Sequence, residues 1–285
     1  MPRKGTVRRL SVRPALCIVV LVNISSYHTH TRLCKHASGV PSDYISQALK
    51  DGCSSLGFSD HCPYPDDSVW FGSRMACAQV PQYIAQVRDA QKTAPFPVHW
   101  GFECEWHPAF EGWYRDYLRA ECGAEYLVYG SHWVGVNGDL LYIPDISDST
   151  LLHRYADLTL EALQTGLYDF FAHPDLFLSG FLNMTDDVKA VCADIIDTAV
   201  EMKIPMEING LGLQRPKIRG DSGMRSPYPV REFWEMAAAR NAVIVCNSDA
   251  HRPEDVIASC KNAYEFAREI GIEPVDTGTA LGFIR

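Results

Sequence analysis

The sequence predicts a parallel α/β fold, and three observations lead to that class. Short apolar segments alternate with longer amphipathic segments along most of the chain. Capping residues, glycines and prolines separate these segments, as expected where strands and helices meet. The chain has 285 residues, 47% of them hydrophobic, which is enough to bury a large core. We expect residues 23–285 to form one domain, because no internal repeat or low-complexity linker interrupts the alternation.

Seven apolar segments are predicted to be strands from their length and from the turn residues around them. The predicted strands are residues 21–27, 55–59, 98–103, 126–131, 168–172, 205–208 and 243–248. Helices are predicted between them at residues 42–51, 81–92, 111–122, 150–165, 186–203, 229–240 and 253–270. For the first helix, Ser42 is the expected N-cap and Gly52 the stop signal. Residues 210–229, rich in glycine, proline and arginine, are predicted to be a long loop.

The first 22 residues differ from the rest in charge. They carry five basic residues and no acid, which leaves 21 basic against 35 acidic residues in the remainder, a formal charge of −14. The basic stretch and the apolar run 15–22 resemble a signal peptide, but no small-x-small cleavage site follows, and eight apolar residues are too few to span a bilayer. The alternatives are a run that extends the first strand behind a loose tail, or a mis-assigned start codon.

Charge and cysteine usage exclude several classes of protein. An acidic body is a poor candidate for binding nucleic-acid backbones, which requires a basic face. The ten cysteines include no C-x-x-C pair and are spread through predicted strands and helices. This pattern argues against a disulfide framework or a zinc finger. We expect buried thiols, a cytoplasmic location and no membrane partner.

Potential metal ligands follow six of the seven predicted strands. They are His28, His30, His61, Glu103, His132, His173, Asp249 and His251. Parallel strands separated by helices bring their C-terminal ends to one face, so these side chains are expected to meet there. His28 and His30, two apart on an extended segment, point to the same side. His99, His107 and His153 lack this placement and are expected to be structural.

The residue types favour hydrolytic metal chemistry. Imidazole and carboxylate groups suit zinc, iron or manganese. A divalent ion lowers the pKa of bound water from 15.7 toward ~7, which makes hydroxide available at neutral pH. The sequence therefore predicts a metal-dependent hydrolase.

The motifs resemble the PHP (polymerase and histidinol phosphatase) superfamily, specifically its monofunctional histidinol-phosphatase branch. They read His-Thr-His-Thr-x-x-Cys-x-His-Ala-x-Gly at 28–39, Gly-Phe-Ser-Asp-His at 57–61, Gly-Phe-Glu-x-Glu-Trp at 101–106, Ser-His at 131–132, Ala-His-Pro-Asp at 172–175, Glu-Ile-Asn-Gly at 207–210 and Ser-Asp-Ala-His at 248–251. The resemblance covers the chain from about Tyr27 to its end.

This resemblance implies a distorted seven-stranded (β/α)7 TIM-like barrel with two to three divalent ions (zinc, manganese or iron) at its C-terminal rim. The implied ligands are His28, His30, Glu103 and Asp249 for one ion, Glu103, His132 and His173 for a second, and His36, His61 and His251 for a third. Glu103 and Asp249 would hold the metal-bound hydroxide that attacks phosphorus. Spacing alone does not decide between Glu103 and Glu105 as the ligand, and Glu103 is chosen for its motif position at the strand's end. Glu105 is expected to be an acid at the rim or one that supports a ligand, and Asp60 and Asp175 either orient imidazoles or bind backbone groups.

The implied reaction is hydrolysis of L-histidinol phosphate to L-histidinol and phosphate, in histidine biosynthesis. Two alternatives are a phosphoesterase acting on another small phosphate ester or nucleotide, and a non-catalytic metal-binding domain, which the full ligand set disfavours. The family commonly carries a phosphate-binding arginine after the His-Pro-Asp motif, but residues 173–180 contain no basic residue. Arg215, Lys217 and Arg219 are the candidates to replace it, unless they form a solvated basic loop.

Overall fold

A central sheet of seven parallel strands organises the molecule, which is described here by a computed structural model covering residues 24–67, 69–136, 139–220 and 223–284. The strands in chain order are β1 (Ile24–Ser26), β2 (Cys53–His61), β3 (Val98–Cys104), β4 (Tyr126–Gly130), β5 (Trp133–Val136), β6 (Asp139–Tyr142), β7 (Phe170–Ala172), β8 (Met206–Asn209), β9 (Ile218–Gly220), β10 (Gly223–Arg225) and β11 (Ile244–Asn247). The central sheet has the order β1-β2-β3-β4-β7-β8-β11, and each neighbouring pair is parallel.

The two edge strands approach each other and nearly close the sheet into a barrel. Thr29 and Ala250, just beyond β1 and β11, form a parallel bridge in which the His30 amide donates to the Ala250 carbonyl at 2.9 Å. Below it, the Tyr27 amide donates to Asn247 Oδ1 at 2.8 Å, so a side chain replaces part of the strand ladder. This closure confirms the predicted distorted seven-stranded barrel.

Helices connect the strands and cover the outside of the barrel. They are α1 (Pro41–Lys50), α2 (Val80–Thr93), a π-helix (Trp113–Glu121), α3 (Ser149–Gln164), α4 (Asp186–Glu201), α5 (Gly210–Gln214), α6 (Arg231–Ala239), α7 (Asp255–Glu269) and α8 (Thr277–Ala280). In α4, Val188, Val191, Cys192, Ile195 and Ile196 are buried, the three-and-four spacing of a helix with one apolar face. Apolar burial of this kind holds the helices on the sheet.

Several predicted boundaries were wrong for identifiable reasons. Ser42 is not the N-cap of α1: Val40 occupies that position and Pro41 is the first helical residue, where its missing amide hydrogen costs nothing. Gly52 does follow the helix end with a φ of 79°, as predicted. The helix predicted at 111–122 winds as a π-helix, in which the Cys122 amide reaches back five residues to the Tyr117 carbonyl at 2.8 Å.

Two local structures were not predicted. The segment predicted as a loop at 210–229 contains α5 and the antiparallel hairpin β9–β10. A second antiparallel ribbon, β5–β6, follows β4 and stands beside the C-terminal rim.

The predictions for residues 1–22 lie outside the described residues. Among those described, no helix has the length and apolar content needed to cross a membrane, and nine cysteines are free thiols.

A mostly aromatic cluster lies inside the barrel and includes Tyr126 and Phe170, the first residues of β4 and β7. We call it the barrel floor and define it as Tyr27, Tyr126, Val128, Phe170 and Ala172, with Leu281 and Phe283 packed against them. Phe283 stacks on His99, near the start of β3, with ring centroids 4.0 Å apart. The C-terminal segment therefore covers the end of the barrel opposite the predicted metal site.

Candidate metal centre

The nine predicted ligands gather at the C-terminal ends of the strands, around the carboxylate of Glu103. Glu103 lies at the end of β3, directly opposite His61 of β2 in the strand register. Its Oε2 is 2.9 Å from His61 Nδ1, and its Oε1 is 3.0 Å from His173 Nε2. The Nε2 atoms of His28 and His132 lie 3.4 Å and 3.7 Å from the same Oε1.

Asp249, after β11, is the second carboxylate of the cluster. Its Oδ1 lies 3.1 Å from His30 Nε2, 3.6 Å from His28 Nε2 and 3.4 Å from His251 Nδ1. His30 also lies 3.5 Å from Glu103 Oε2, so the two carboxylates share the two histidines of the first strand.

The outer part of the cluster is formed by His36 and His251 from two loops and by His61 at the end of β2. His36 Nε2 and His251 Nε2 are 3.0 Å apart, and the ring of His61 lies 5.1 Å from that of His36. His30 packs between this outer group and Glu103, with its ring 4.2 Å from that of His251. The three groups implied by the resemblance are therefore adjacent, with His28 and His30 at their junction.

Buried nitrogen and oxygen atoms without hydrogen-bond partners indicate that the cluster fits metal ions. Nε2 of His28, both ring nitrogens of His30 and Oε2 of Glu103 form no hydrogen bond of normal geometry among the described residues, although ring nitrogens or carboxylate oxygens lie close to them. A buried polar atom left without a partner costs about 1–3 kcal/mol. The sets His28, His30 and Glu103, and His28, His173 and Asp249, each place their ligand atoms within 4.8 Å of one another. Divalent ions would complete these atoms' interactions, because imidazole nitrogen and carboxylate oxygen are ordinary ligands of zinc and similar metals.

The backbone at this rim is shaped to position these side chains. His173 and Asp249 have positive φ angles of 33° and 51°, a region that non-glycine residues rarely occupy. Such conformations cluster at functional sites, where the surrounding structure holds them in place. Gly130, at the end of β4, leaves room for Glu103, since a Cβ there would overlap the Glu103 carboxylate.

Glu207 orients His28 from behind the cluster, a role that the sequence analysis did not assign. Its two oxygens lie 3.1 Å and 3.0 Å from His28 Nδ1 and also accept hydrogen bonds from Asn209 and Asn247. A carboxylate on Nδ1 leaves Nε2 of His28 directed at Glu103 and Asp249. The signal was available in the sequence, because Glu207 lies within the sixth strand, the one to which no ligand had been assigned.

The two aspartates beside ligand histidines have different roles. Asp60 accepts hydrogen bonds from the Thr31 hydroxyl and, at 2.8 Å, from the His61 amide, and its Oδ1 lies 3.6 Å from His30 Nδ1. It therefore steadies the loop that carries His30. Asp175 instead accepts from the Val230 amide at 2.6 Å and from Trp234 Nε1 at 3.1 Å, and so serves backbone and packing.

Glu105 lies at the rim, as expected, and contacts His132 twice. Its Oε2 accepts from the His132 amide at 2.9 Å and its Oε1 lies 2.8 Å from His132 Nδ1. Arg74, which the sequence analysis did not single out, is buried beside Glu105. Nothing in its sequence context distinguishes Arg74 from a surface arginine.

Mutual electrostatics set the protonation of the cluster. Burial favours a raised pKa for Glu103, but His28, His61 and His132 outweigh it and hold the pKa of that carboxyl well below its usual range. Burial likewise opposes ionisation of Asp249, yet its histidine neighbours keep its pKa well below normal. Both carboxylates are therefore ionised at neutral pH. Burial lowers the pKa of His251 to about 3, so it stays neutral.

The pKa values of His28 and His30, which lie just after β1, shift in the opposite direction. Burial lowers the pKa of His30, but the nearby carboxylates of Asp249, Asp60 and Glu103 raise it overall to about 9. Glu207, Asp249 and Glu103 raise the pKa of His28 well above its usual value in spite of its burial. In the metal-free state, these two imidazoles are therefore protonated and neutralise the carboxylates.

A cavity of about 890 Å³ opens above the cluster. His36, His61, His132, Asp249 and His251 form part of its base, and Trp133, Leu140, Leu141, Tyr142, Ile146, Leu151, Leu176 and Leu211 form apolar walls. The β5–β6 ribbon supplies the aromatic pair Trp133 and Tyr142, whose rings are 5.1 Å apart. This volume is typical of small-molecule sites.

Of the three predicted substrate-binding cations, the structure brings only Arg215 to this cavity among the described residues. Arg215 interacts with the hydroxyl of Tyr228, a residue that also lines the cavity. The ring of Tyr228 packs edge-on against the ring of His173. Lys217 donates to Ser226 Oγ at 2.7 Å and lines a different cavity. Arg219 is exposed on β9. Neither Lys217 nor Arg219 is among the residues that line the cavity above the cluster, and a substrate role for them stays a prediction.

The other three histidines lie outside the cluster. His99 pairs with Glu125 at 2.6 Å near the barrel floor, and His153 pairs with Asp187 at 3.0 Å on the helical surface. His107 accepts a hydrogen bond from the Ala109 amide in a short turn. These contacts agree with the structural roles expected for them.

Comparison with known proteins adds independent information to this geometry. The PHP domain model matches residues 26–210. The chain belongs to the PHP domain family. A Deinococcus radiodurans protein described as a probable histidinol-phosphatase is 30% identical to this PHP chain over 261 residues, which cover 88% of this chain and 95% of that protein.

Two solved structures share the fold of this PHP chain. A histidinol phosphate phosphatase from Lactococcus lactis, crystallised with zinc, L-histidinol and phosphate, has a TM-score of 0.65 and 13% identity, over 89% of this chain and 95% of that one. A candidate histidinol phosphatase from Listeria monocytogenes has a TM-score of 0.62 and 18% identity, over 81% of this chain and 96% of that one. At these identities the similarity establishes the PHP barrel fold alone.

Proposed function

We propose that this protein is a metal-dependent phosphomonoesterase that hydrolyses L-histidinol phosphate to L-histidinol and phosphate. The observation that carries the proposal is the convergence of seven histidines with Glu103 and Asp249 at the base of one cavity. The 30% identical relative, matched over nearly its whole length, supports histidinol phosphate as the substrate. Histidine biosynthesis is the pathway in which such a reaction belongs.

We further propose that two to three divalent ions (zinc, manganese or iron) occupy the cluster. His28, His30, Glu103 and Asp249 would hold one, Glu103, His132 and His173 a second, and His36, His61 and His251 a third. When bound, such ions activate water at neutral pH and neutralise charge on the phosphate oxygens. The close approach of His30 to both His61 and His251 puts the first and third positions next to each other.

The chain's own residues prepare the site for this chemistry. Glu103 and Asp249 are ionised and desolvated, so they are ready to hold cations and the attacking water between them. Glu207 and Glu105 fix the ring orientation of His28 and His132. Glu103, Asp249 and His28 are buried, which strengthens electrostatic interactions among them.

The upper part of the cavity suits the organic half of the proposed substrate. Trp133 and Tyr142 offer aromatic faces to a flat imidazole ring. Arg215 provides a guanidinium group that is able to hold a phosphate oxygen through charge-assisted hydrogen bonds. A phosphate at the base would thus have the leaving alcohol directed toward the ribbon.

Phosphate release from a substrate panel tests the proposal. Metal-free protein is reconstituted separately with zinc, manganese and iron, then assayed with histidinol phosphate, nucleotides and sugar phosphates. We expect histidinol phosphate to give the highest kcat/KM, with His28→Ala as the control for contaminating phosphatases. A higher kcat/KM on a nucleotide or sugar phosphate would reassign the substrate, and no release from any ester would refute the phosphatase proposal.

A further inference from the structure

A buried arginine in the loop after β2 lies beside the proposed metal centre. Only 3% of Arg74 is exposed. Its Nη1 donates to the Cys62 carbonyl at 2.9 Å and its Nε to the Trp70 carbonyl at 3.4 Å. The guanidinium also lies 5.2 Å and 5.1 Å from the ring centroids of Tyr64 and Trp70. Burying a cation costs free energy unless an opposite charge compensates it, so the partner of Arg74 indicates what this residue does.

That partner is Glu105, which is itself 4% exposed. Arg74 Nη2 and Glu105 Oε1 form an ion pair at 3.7 Å. The same carboxylate accepts from the His132 amide and faces His132 Nδ1. The contacts therefore run from the loop after β2, through a carboxylate after β3, to a histidine after β4.

We propose that Arg74 is a positioning residue that, through Glu105, fixes His132 for one ion of the proposed metal centre, and the inference rests on that centre. A hydrogen bond from His132 Nδ1 to the Glu105 carboxylate requires a proton on Nδ1, which leaves the lone pair of the ring on Nε2. Nε2 is the nitrogen that faces Glu103 Oε1, 3.7 Å away. The ion pair with Arg74 compensates the charge of Glu105 and holds its carboxylate in place. The hydrogen bond from Arg74 to the carbonyl of Cys62, the residue next to His61, fixes the guanidinium.

The arrangement gives Arg74 a role beyond filling space. Its removal would leave Glu105 buried without its guanidinium, and the carboxylate would turn toward solvent in the cavity. That change frees the His132 ring. Loss of such a supporting group costs about 10–100-fold in metal affinity. Only the ion held by His132 should be affected, because His36, His251 and Asp249 do not contact Glu105.

The test measures zinc binding by the full chain without substrate, so its result is independent of which ester the enzyme hydrolyses. Metal-free wild type and Arg74→Gln are titrated with zinc against a competing chelator. We expect Arg74→Gln to bind one ion per chain 10–100-fold more weakly and the others normally. Arg74→Lys keeps the charge and should restore affinity to within about threefold of wild type. Glu105→Gln should weaken the same ion, and the double variant should be no worse than the weaker single variant.

Arg119→Gln is the matched control. Arg119, on the π-helix, likewise donates to two backbone carbonyls and pairs with a carboxylate, that of Asp169. We expect this variant to lose thermal stability but to bind zinc normally. Normal zinc binding by Arg74→Gln, with a loss of stability like that of Arg119→Gln, would show Arg74 to be merely structural. If Arg74→Gln does not fold, Glu105→Gln decides, and normal zinc affinity in that variant overturns the proposal.

Discussion

The two ends of the barrel differ in how far their buried polar groups are hydrogen-bonded. At the C-terminal rim, His28, His30 and Glu103 have buried polar atoms without partners, and Asp249 has a positive φ angle. At the barrel floor, polar groups are paired: the Tyr27 hydroxyl lies 2.6 Å from Ser55 Oγ, and the Tyr126 hydroxyl donates to the Tyr27 carbonyl at 2.9 Å. The rim thus carries unsatisfied groups and strain, and the floor contributes packing.

Residues that serve function and residues that serve stability therefore lie toward opposite ends of the same strands. β3 carries both, with His99 stacked on Phe283 at its start and Glu103 in the cluster at its end. Substitutions at the rim should therefore remove activity at little cost to the fold, and substitutions at the floor should do the reverse. The following predictions test that separation.

The largest effect is expected from a rim ligand. Asp249→Ala removes the carboxylate that His28, His30 and His251 surround. We expect turnover to fall by at least ~1,000-fold, because a ligand matters more than the supporting groups whose loss costs 10–100-fold. Circular dichroism and thermal melting should show a folded protein. Near-normal kcat in fully metallated Asp249→Ala would contradict the assignment.

The next effect is a pH dependence of metal binding. His28 and His30 have raised pKa values, about 9 for His30, so both are protonated at pH 7 without metal. An ion must displace these protons, and apparent affinity therefore rises with pH until it passes about 9. The proton on His30 alone corresponds to about tenfold tighter zinc binding at pH 8 than at pH 7, and loss of the His28 proton increases affinity in the same direction. Chelator competition at both pH values measures this, and an unchanged affinity would contradict it.

A smaller effect is expected at Arg215, which lines the cavity. Arg215→Ala should raise KM for the true substrate about tenfold, equivalent to ~1.4 kcal/mol of lost binding, with metal content unchanged. Arg219→Ala is the comparison, because the exposed Arg219 lies outside the cavity lining; we expect its KM to stay within about twofold of wild type. Steady-state kinetics distinguish the two arginines, and equal KM values for both variants would place phosphate recognition elsewhere.

The smallest effect on activity is expected at the barrel floor. Phe283→Ala removes a ring that stacks on His99 and Tyr27. Because Phe283 is only partly buried, the cost should be about 2 kcal/mol, below the 3–5 kcal/mol of a core phenylalanine. We expect a lower Tm and unchanged kcat, with Phe283→Leu recovering most of the stability. A fall in kcat without a fall in Tm would mean that the two ends are coupled.

The predicted elements came from local patterns and were mostly correct in kind. Strands β2 and β3 extend one or more residues beyond their predicted ends, and α3 lies one residue from its prediction at each end. Errors arose where two local signals competed, as at Ser42, where proline at the first helical position prevailed over a serine cap. The β9–β10 hairpin was missed because three-residue strands carry almost no periodicity.

The sequence pattern predicted the parallel α/β fold and the gathering of the eight candidate ligands that follow strands, and the resemblance to the PHP superfamily implied the barrel and the ninth ligand, His36. The reason is topological: parallel strands place their C-terminal ends on one face, so residues after strands must meet there. Tertiary structure alone decided which supporting groups surround them. Arg74 behind Glu105, and Arg215 rather than Arg219 at the cavity, follow from loop paths and burial. Those depend on contacts between residues far apart in the chain, and local sequence patterns do not encode them.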